Sequence, residues 1–428
     1  MGWELPGTAS APCTEVNGLR FARYSAVPQL LGSMRNLILA AFSGVLLALP
    51  FVAMPISPLG ANVRTDLGAD VERIVTHAVS ALVPADSTGG VAVAVHIAGQ
   101  TLFFNYGFAD KAENLPITPD SLFNVGSVRK VFEAALVARA VERGELKLDD
   151  PVNKYVTELN GAYISQVTVG ELAAHTSGLL LPTDHPPWPK EHYSLAGFLD
   201  ALNAWTPQSG EAPGRQRIYT HAGYVLLQLV LERRYGSPIG ELIERGITRP
   251  LGMLSTLVPE RGPDDQAIMA PELLHRAVQG YGKDGAIIGL PGHQQGYFDF
   301  PGTGQMFSST RDLAIMLAAC LGERPIDSKL HVALQISQHE AYRINAQYAQ
   351  ALAWEIENEP NLTIVDKPGG LNNASSYIGL VPERKLGIVI LINRGDAFPF
   401  EAARQVILPQ LAQLLRSRTP QAGLSARQ

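Results

Sequence analysis

The sequence predicts an α/β protein in which an antiparallel sheet flanked by helices is combined with a separate all-α, helical domain. Two runs rich in β-forming residues lie near the beginning of the folded part of the chain and two more lie near its end, while helical periodicity dominates between them. A sheet completed by both chain ends, with a helical insertion, accounts for this order. The predicted sheet domain comprises residues 62–120 and 328–428, and the predicted helical domain residues 121–327.

Each predicted element has a local signal. Apolar residues recur at helical spacing before the first pair of strands, and this pair is separated by a short turn containing Gly99, which predicts a hairpin. A second pair of strands near the end of the chain is followed by a helix. In chain order, the predictions are a helix over Ala69–Val83, strands over Val91–Ile97 and Thr101–Tyr106, helical segments including Val225–Leu231 and Asp312–Leu321, strands over Ser375–Val381 and Leu386–Ile392, and a helix over Glu401–Leu415.

Composition narrows the class of function. The chain has 428 residues, of which 46% are hydrophobic, so it can bury a substantial core. A net charge of −6 leaves no basic excess for binding phosphates, which disfavours nucleic acid as a partner and favours a small molecule. Cys13 and Cys320 are its two cysteines, a pattern that argues against a disulfide framework and a structural zinc site.

The first 61 residues predict a targeting segment. Arg35 precedes an apolar stretch over Leu37–Ala53, and prolines and a glycine then interrupt it, which is the order of a secretory signal. Met34 is a natural start for such a signal and would leave residues 1–33 as an upstream extension. We therefore expect export to the periplasm, with a mature chain beginning near Asn62. The alternative is an uncleaved membrane anchor, since the apolar run is almost long enough to span a bilayer.

The strongest local chemical signal is Ser127 followed three residues later by Lys130, at the start of a predicted helix that ends before Gly144. Residues three apart lie on one helix face, so the Lys130 ammonium can reach the Ser127 hydroxyl. A serine hydroxyl becomes a nucleophile when a neighbouring group accepts its proton, and a buried lysine can be tuned toward that role. By itself this spacing is weak evidence and fits an N-capping serine followed by a surface lysine better.

Several further segments favour the nucleophile over the N-cap, because they match one known family in the same order along the chain. The chain resembles the class C (AmpC-like) serine β-lactamases and their relatives among penicillin-binding proteins and esterases, over nearly all of its length after Asn62. The segments that carry the resemblance are Ser121–Lys130 (SLFNVGSVRK), Gly144–Val152, Val169–Leu179 (VGELAAHTSGL), Trp205–Tyr219, Gly304–Leu313, Ala351–Glu355 and Tyr377–Asn393.

The family's second motif is a tyrosine followed two residues later by an asparagine, and the matching positions here are Tyr219 and His221. The resemblance implies that Tyr219 is the general base of acylation and later activates water; the alternative is an ordinary half-buried tyrosine. His221 departs from the family pattern. An amide donates and accepts hydrogen bonds at any pH, whereas the charge of an imidazole depends on pH, so substrate preference and pH optimum are both affected.

The family's third motif is lysine, threonine, glycine on a strand, and here it is Lys367, Pro368, Gly369, Gly370. The resemblance implies that Lys367 binds a substrate carboxylate, that Gly369 lets the backbone approach the substrate, and that the Gly370 N–H contributes to the oxyanion hole. Pro368 removes a hydroxyl and a backbone donor, which weakens carboxylate binding unless Ser375, Ser376 or another group replaces the contact. The alternative interpretation of this segment is a plain turn.

The resemblance therefore implies a serine β-lactamase that forms an acyl-enzyme on Ser127, acts on a small-molecule β-lactam and is a monomer without a cofactor or a stable membrane partner after cleavage. Two rivals stay open: a DD-peptidase or esterase that uses the same site, and a non-catalytic sensor. A minor third is a metal-dependent variant, since His175, His185 and His221 could converge near the cleft. No metal-binding spacing supports it, and we predict no metal ligands.

Overall fold

The computed structural model describes most of the chain after the predicted targeting segment. Residues 1–58 of that segment, and His185, lie outside the described residues. The described ranges are 59–82, 88–181, 184, 194–207, 211–294, 305–395 and 397–418.

Helices and short strands alternate through the middle of the chain, and longer strands lie toward both ends. The helices are α1 (Leu59–Val79), α2 (Arg129–Glu142), α3 (Val169–Ala173), α4 (Leu195–Ala204), α5 (His221–Tyr235), α6 (Ile239–Ile243), α7 (Arg249–Leu251), α8 (Pro271–Leu274), α9 (Thr310–Cys320), α10 (Ser328–Gln338), α11 (Pro399–Glu401) and α12 (Leu408–Arg418). The strands are β1 (Gly90–Ile97), β2 (Gln100–Asp110), β3 (Leu115–Pro116), β4 (Phe123–Asn124), β5 (Glu260–Arg261), β6 (Ala267–Ile268), β7 (Phe307–Ser308), β8 (Tyr342–Arg343), β9 (Tyr348–Gln350), β10 (Glu355–Glu359), β11 (Leu362–Leu371), β12 (Ala374–Val381) and β13 (Leu386–Ile392).

The main sheet joins the two ends of the chain. Within the described ranges its nine strands follow the order β3-β2-β1-β13-β12-β11-β10-β9-β8, and every neighbouring pair is antiparallel. β1 and β13 are neighbours, with Val91 opposite Ile392 and Val95 opposite Ile388. The prediction of an antiparallel sheet completed by both chain ends and flanked by helices is confirmed.

Side chains alternate between two apolar clusters on the two faces of this sheet. On β1, Val91, Val93 and Val95 belong to the cluster that contains the buried residues of α1 and α12, whereas Ala92 and Ala94 belong to the cluster built on the helices of the middle segment. A strand covered on both faces has apolar residues at consecutive positions, as this one does. Apolar side chains therefore pack against both faces of the sheet.

The largest differences between the element boundaries and the sequence-based expectations lie in the first and the last helix. α1 begins at Leu59 rather than Ala69, and the C-terminal helix is divided into α11, a π-helical turn over Ala402–Ile407, and α12. Of the helices in the described residues, none combines the length and apolar character needed to cross a bilayer.

Candidate active site

Ser127 lies in a tight turn that the third motif presses against. The turn is a 3₁₀ helix over Gly126–Val128 and continues directly into α2. Gly126 has a φ of +51°, and a Cβ atom there would lie 3.1 Å from the backbone nitrogen of Gly370. The turn therefore requires glycine for two reasons, its left-handed backbone and the close approach of β11.

The structure brings together the hydroxyl, the ammonium and the phenol that the sequence singles out. The Ser127 Oγ atom lies 2.7 Å from Tyr219 Oη, and Lys130 Nζ donates a hydrogen bond to Ser127 Oγ at 3.2 Å. Helical spacing accounts for the second contact, since Ser127 and Lys130 are one turn apart. The first contact joins residues 92 positions apart, because Tyr219 ends the segment that leads into α5.

Burial and charge together tune these groups. Burial lowers the pKa of the Lys130 ammonium, and the nearby Lys367 cation lowers it further. Burial by itself would raise the pKa of Tyr219, but the positive charges of Lys130, Lys367 and His221 outweigh it and lower that pKa to about 7. The phenol can therefore exchange a proton with Ser127 near neutral pH.

The Tyr219 ring is enclosed by cations and aromatic rings. Lys367 Nζ lies 4.6 Å and Lys130 Nζ 5.3 Å from the ring centroid, and the His175 ring packs at 4.5 Å. His175 is fully buried and accepts a hydrogen bond from the Thr220 backbone N–H at Nδ1. Burial and the surrounding cations hold the pKa of His175 well below its ordinary value, so this ring is neutral at pH 7.

Lys367 is buried, and its ammonium already has an anionic partner. It donates a hydrogen bond to Glu355 Oε1 at 3.2 Å, and Glu355 also contacts Arg217 at 3.3 Å and Arg404 at 2.9 Å. Burial alone would raise the pKa of Glu355, but these three cations lower it to about 2. The carboxylate is ionised at any working pH and fixes the position of the Lys367 side chain.

The third motif forms the C-terminal part of β11, not a plain turn. A Cβ atom on Gly369 would lie 2.3 Å from Ser376 Oγ, 2.6 Å from the Val125 oxygen and 3.0 Å from the Ser127 nitrogen, so only glycine fits there. In the described residues, β10 pairs with β11 no further than Asp366. Pro368 therefore lies where β11 has a neighbour on one side only, which is where a sheet tolerates proline.

The two serines that could replace the missing threonine hydroxyl use their protons elsewhere. Ser375 Oγ donates to the Arg394 backbone oxygen at 2.8 Å, and Ser376 Oγ donates to the Val125 oxygen at 2.7 Å. A hydroxyl has one proton, so neither serine donates to a carboxylate in this arrangement. The loss of a donor at Pro368 is thus not compensated by these two side chains.

His221, the departure in the second motif, lies at the first position of α5 beside Asp184. His221 Nδ1 is 3.3 Å from Asp184 Oδ1, and the two rings of Tyr219 and His221 meet edge to face with their centroids 5.5 Å apart. The imidazole side chain is 20% exposed, whereas the Asp184 carboxylate is 1% exposed. The His221 imidazole is therefore in contact with a buried carboxylate, that of Asp184.

The comparison with protein families gives the assignment. The family model described as Beta-lactamase matches residues 72–412, more than three quarters of the chain. The chain belongs to the β-lactamase family.

Individual relatives place it in the class C, AmpC-like branch of this family. A β-lactamase from Pseudomonas fluorescens is 27% identical over 356 residues, covering 76% of this chain and 94% of the relative. The crystal structure of a class C β-lactamase from Rhodobacter sphaeroides has a TM-score of 0.68 at 26% identity, covering 82% of this chain and 99% of that one. A D-alanine carboxypeptidase AmpC from Burkholderia cenocepacia has a TM-score of 0.67 at 25% identity, covering 83% of this chain and 99% of that one. The resemblance stated from the motifs is confirmed.

Sequence reasoning missed Asp184 and Glu355, which surround the family's motifs here, and considered His175 only as a possible metal ligand near the cleft. Asp184 carries no recognisable spacing, His175 lies inside the matching segment Val169–Leu179, and Glu355 stands out only as the end of another. All three act through contacts between segments distant in the chain.

In the part of the chain that the structure describes, no group of three or more His, Cys, Asp or Glu side chains could hold a metal ion.

Proposed function

We propose that the protein is an exported serine β-lactamase that opens β-lactams through an acyl-enzyme on Ser127. The observation that carries this proposal is the placement of Ser127 Oγ within hydrogen-bonding distance of both Tyr219 Oη, at 2.7 Å, and Lys130 Nζ, at 3.2 Å. The membership in a family of serine hydrolases supports it.

In acylation, the Tyr219 phenolate accepts the proton of Ser127 as Oγ attacks the β-lactam carbonyl carbon. The tetrahedral oxyanion accepts hydrogen bonds from the backbone N–H groups of Ser127 and Gly370, which belong to the turn and to the strand β11 that packs on it at Gly126. When the ring C–N bond breaks, Tyr219, which lies beside Lys130, donates this proton to the leaving nitrogen and is again a phenolate. The result is an ester on Ser127 and an opened ring.

In deacylation, the same groups act on water. The Tyr219 phenolate takes a proton from a water molecule, and the hydroxide attacks the ester carbonyl. The Ser127–acyl bond breaks as Tyr219 donates that proton to Oγ. The products are the opened acid and free Ser127. Lys367 provides the positive charge toward a substrate carboxylate, Gly369 the space for backbone approach, and His221 a polar contact to the substrate side chain.

The test combines turnover with detection of the adduct. We expect the purified protein to hydrolyse nitrocefin and at least one of a penicillin, a cephalosporin and a carbapenem, and Ser127→Ala to lose at least about 10⁴-fold in kcat. Mass spectrometry should find a β-lactam adduct on Ser127. Absence of an adduct in the folded wild-type protein would favour the sensor alternative, and loss of turnover on adding a chelator would favour the metal-dependent one.

A DD-carboxypeptidase that uses the same site is the second candidate. The Burkholderia relative bears that name, and Pro368 together with the committed hydroxyls of Ser375 and Ser376 weakens the binding of the β-lactam carboxylate. The two activities differ in how fast water reaches the acyl-enzyme. A single burst of nitrocefin hydrolysis without turnover, together with release of D-alanine from a peptide ending in D-Ala-D-Ala, would favour the peptidase.

Export and monomeric state are part of the same proposal. The apolar stretch after Arg35 supports a cleaved signal and a periplasmic location. N-terminal sequencing of the protein recovered from the periplasm should find a start near Asn62, and light scattering should give the mass of one chain. Recovery of the intact segment in the membrane fraction would favour the anchor.

A further inference from the structure

Asp184 clamps the residues that follow Tyr219. Its Oδ1 atom accepts a hydrogen bond from the His221 backbone N–H and lies 3.3 Å from His221 Nδ1. Its Oδ2 atom accepts from Thr220 Oγ1 at 3.0 Å and from the Leu181 backbone N–H at 3.1 Å. One carboxylate thus connects the segment before it to two consecutive residues of the second motif.

The burial of this carboxylate sets a requirement on its partners. Its side chain is 1% exposed, and a buried anion is stable only when hydrogen bonds and positive charge replace the water it loses. The N-terminus of α5, a helix of 15 residues, supplies the His221 N–H and the positive end of the helix dipole. Among the described residues, His221 places an imidazole, a group that can carry a positive charge, in contact with this carboxylate.

His221 in turn borders the general base. Its ring meets the Tyr219 ring edge to face at 5.5 Å, and Tyr219 is held from another side by His175 at 4.5 Å. The family's asparagine is uncharged at this position and needs no anionic partner. An imidazole can become positively charged, and Asp184 Oδ1 lies 3.3 Å from its Nδ1 atom, where an anion favours the charged ring. The histidine of the second motif and Asp184 therefore form a matched pair.

We propose that Asp184 is a positioning residue that holds the His221 imidazole against Tyr219 and so makes histidine functional in place of the family's asparagine. The inference deepens the proposed function and rests on it for its kinetic readout. A purely structural carboxylate would act on stability whatever residue occupied position 221, whereas the proposed role disappears once His221 is replaced.

A double-mutant cycle tests this dependence. The variants are Asp184→Asn, His221→Asn and their combination; asparagine at 184 keeps an acceptor oxygen for the backbone N–H but loses the charge. The matched control is Asp150→Asn. Asp150 also accepts from a backbone N–H (Lys147), a hydroxyl (Tyr155) and a cation (Lys154), none of which belongs to the site.

We expect Asp184→Asn to lower kcat/KM for nitrocefin about tenfold in the His221 background and by less than about twofold in the His221→Asn background. The control should change kcat/KM by less than about twofold in both backgrounds. Equal losses from Asp184→Asn in both backgrounds would overturn the proposal, because Asp184 would then act independently of His221.

A spectroscopic arm separates this inference from the proposed function. The ring ¹⁵N and ¹H signals of His221, assigned by their loss in His221→Asn, should move in Asp184→Asn and stay in place in Asp150→Asn. Unmoved signals would overturn the pairing even if the protein turned over no β-lactam. Should Asp184→Asn fail to fold, Asp184→Glu keeps the anion and should leave the His221 signals near their wild-type positions; their displacement to those of an exposed imidazole would overturn it.

Discussion

The phenol of Tyr219, which we propose as the base, is partly buried. Burial disfavours the phenolate, but the ammonium groups of Lys130 and Lys367 lie 5.3 and 4.6 Å from the ring centroid of Tyr219. Their charges bring the pKa of Tyr219 to about 7. The neutral His175 ring packs on the same phenol without adding charge, so the cations decide the proton affinity.

This charge arrangement predicts the acidic limb of the activity profile. Because the pKa of Tyr219 is about 7, the phenolate predominates above that pH and is lost below it. We expect kcat/KM for nitrocefin to fall about tenfold per pH unit well below pH 7 and to be level above it. Lys367→Gln removes a cation from the ring and should move the limb to higher pH. Lys154→Gln, at an exposed lysine, is the control; a limb that Lys367→Gln leaves in place would contradict this account.

Proline at position 368 leads to a second prediction, which concerns the binding of the substrate carboxylate. Threonine at this position would restore both a hydroxyl and a backbone N–H on β11, and one hydrogen bond to a charged group corresponds to about 1.5–3 kcal/mol. We expect Pro368→Thr to lower KM for a penicillin about tenfold or more. Pro368→Val has the same shape without the hydroxyl and should gain much less. Equal KM values in the two variants would show that the hydroxyl is not the missing contact.

At the scale of elements, the sequence predicts the features that depend on the spacing of residues within one segment. The hairpin of β1 and β2, the pair β12 and β13, and the reach from Lys130 to Ser127 all follow from the spacing of residues within one segment. Asp184 and Glu355 could not be found this way, since their partners are Thr220 with His221, and Lys367 with Arg217 and Arg404. Their roles exist only once distant segments pack together.

The packing of β11 on the Ser127 turn predicts a sharp difference between adjacent glycines. A Cβ atom on Gly369 would lie 2.6 Å from the Val125 oxygen and 3.0 Å from the Ser127 nitrogen, whereas one on Gly370 would meet nothing within 4 Å. We expect Gly369→Ala to displace the strand and lower kcat about 100-fold, the scale of losing an oxyanion donor. Gly370→Ala keeps its N–H and should lose at least about tenfold less. Similar activities in the two variants would contradict the close approach.

At the scale of the whole molecule, the buried side chain of Asn393 connects both chain ends to the middle segment. It follows β13, accepts from the Gly90 N–H at 2.6 Å, and donates to the backbone oxygens of Phe108 at 3.1 Å and Gln279 at 2.8 Å. Gly90 begins β1 and Phe108 lies in β2, so one amide joins three sheet strands and the segment after α8. The antiparallel pairing of β1 with β13 is therefore supported by the side-chain hydrogen bonds of Asn393 as well as by the backbone hydrogen bonds between the two strands.

Replacing this amide should therefore weaken the whole fold. Asn393→Leu leaves buried backbone groups without their partner, at a cost of about 3 kcal/mol in the free energy of unfolding. The control is Asn105→Leu on β2: in the described structure the buried Oδ1 atom of Asn105 has no hydrogen-bond partner, so we expect a change within about 0.5 kcal/mol or a gain in stability. Urea unfolding followed by tryptophan fluorescence measures both. Because the Asn393 contacts span the chain, its variant should unfold in one transition at lower urea, and a separate early transition confined to the C-terminal strands would contradict the joint role of this residue.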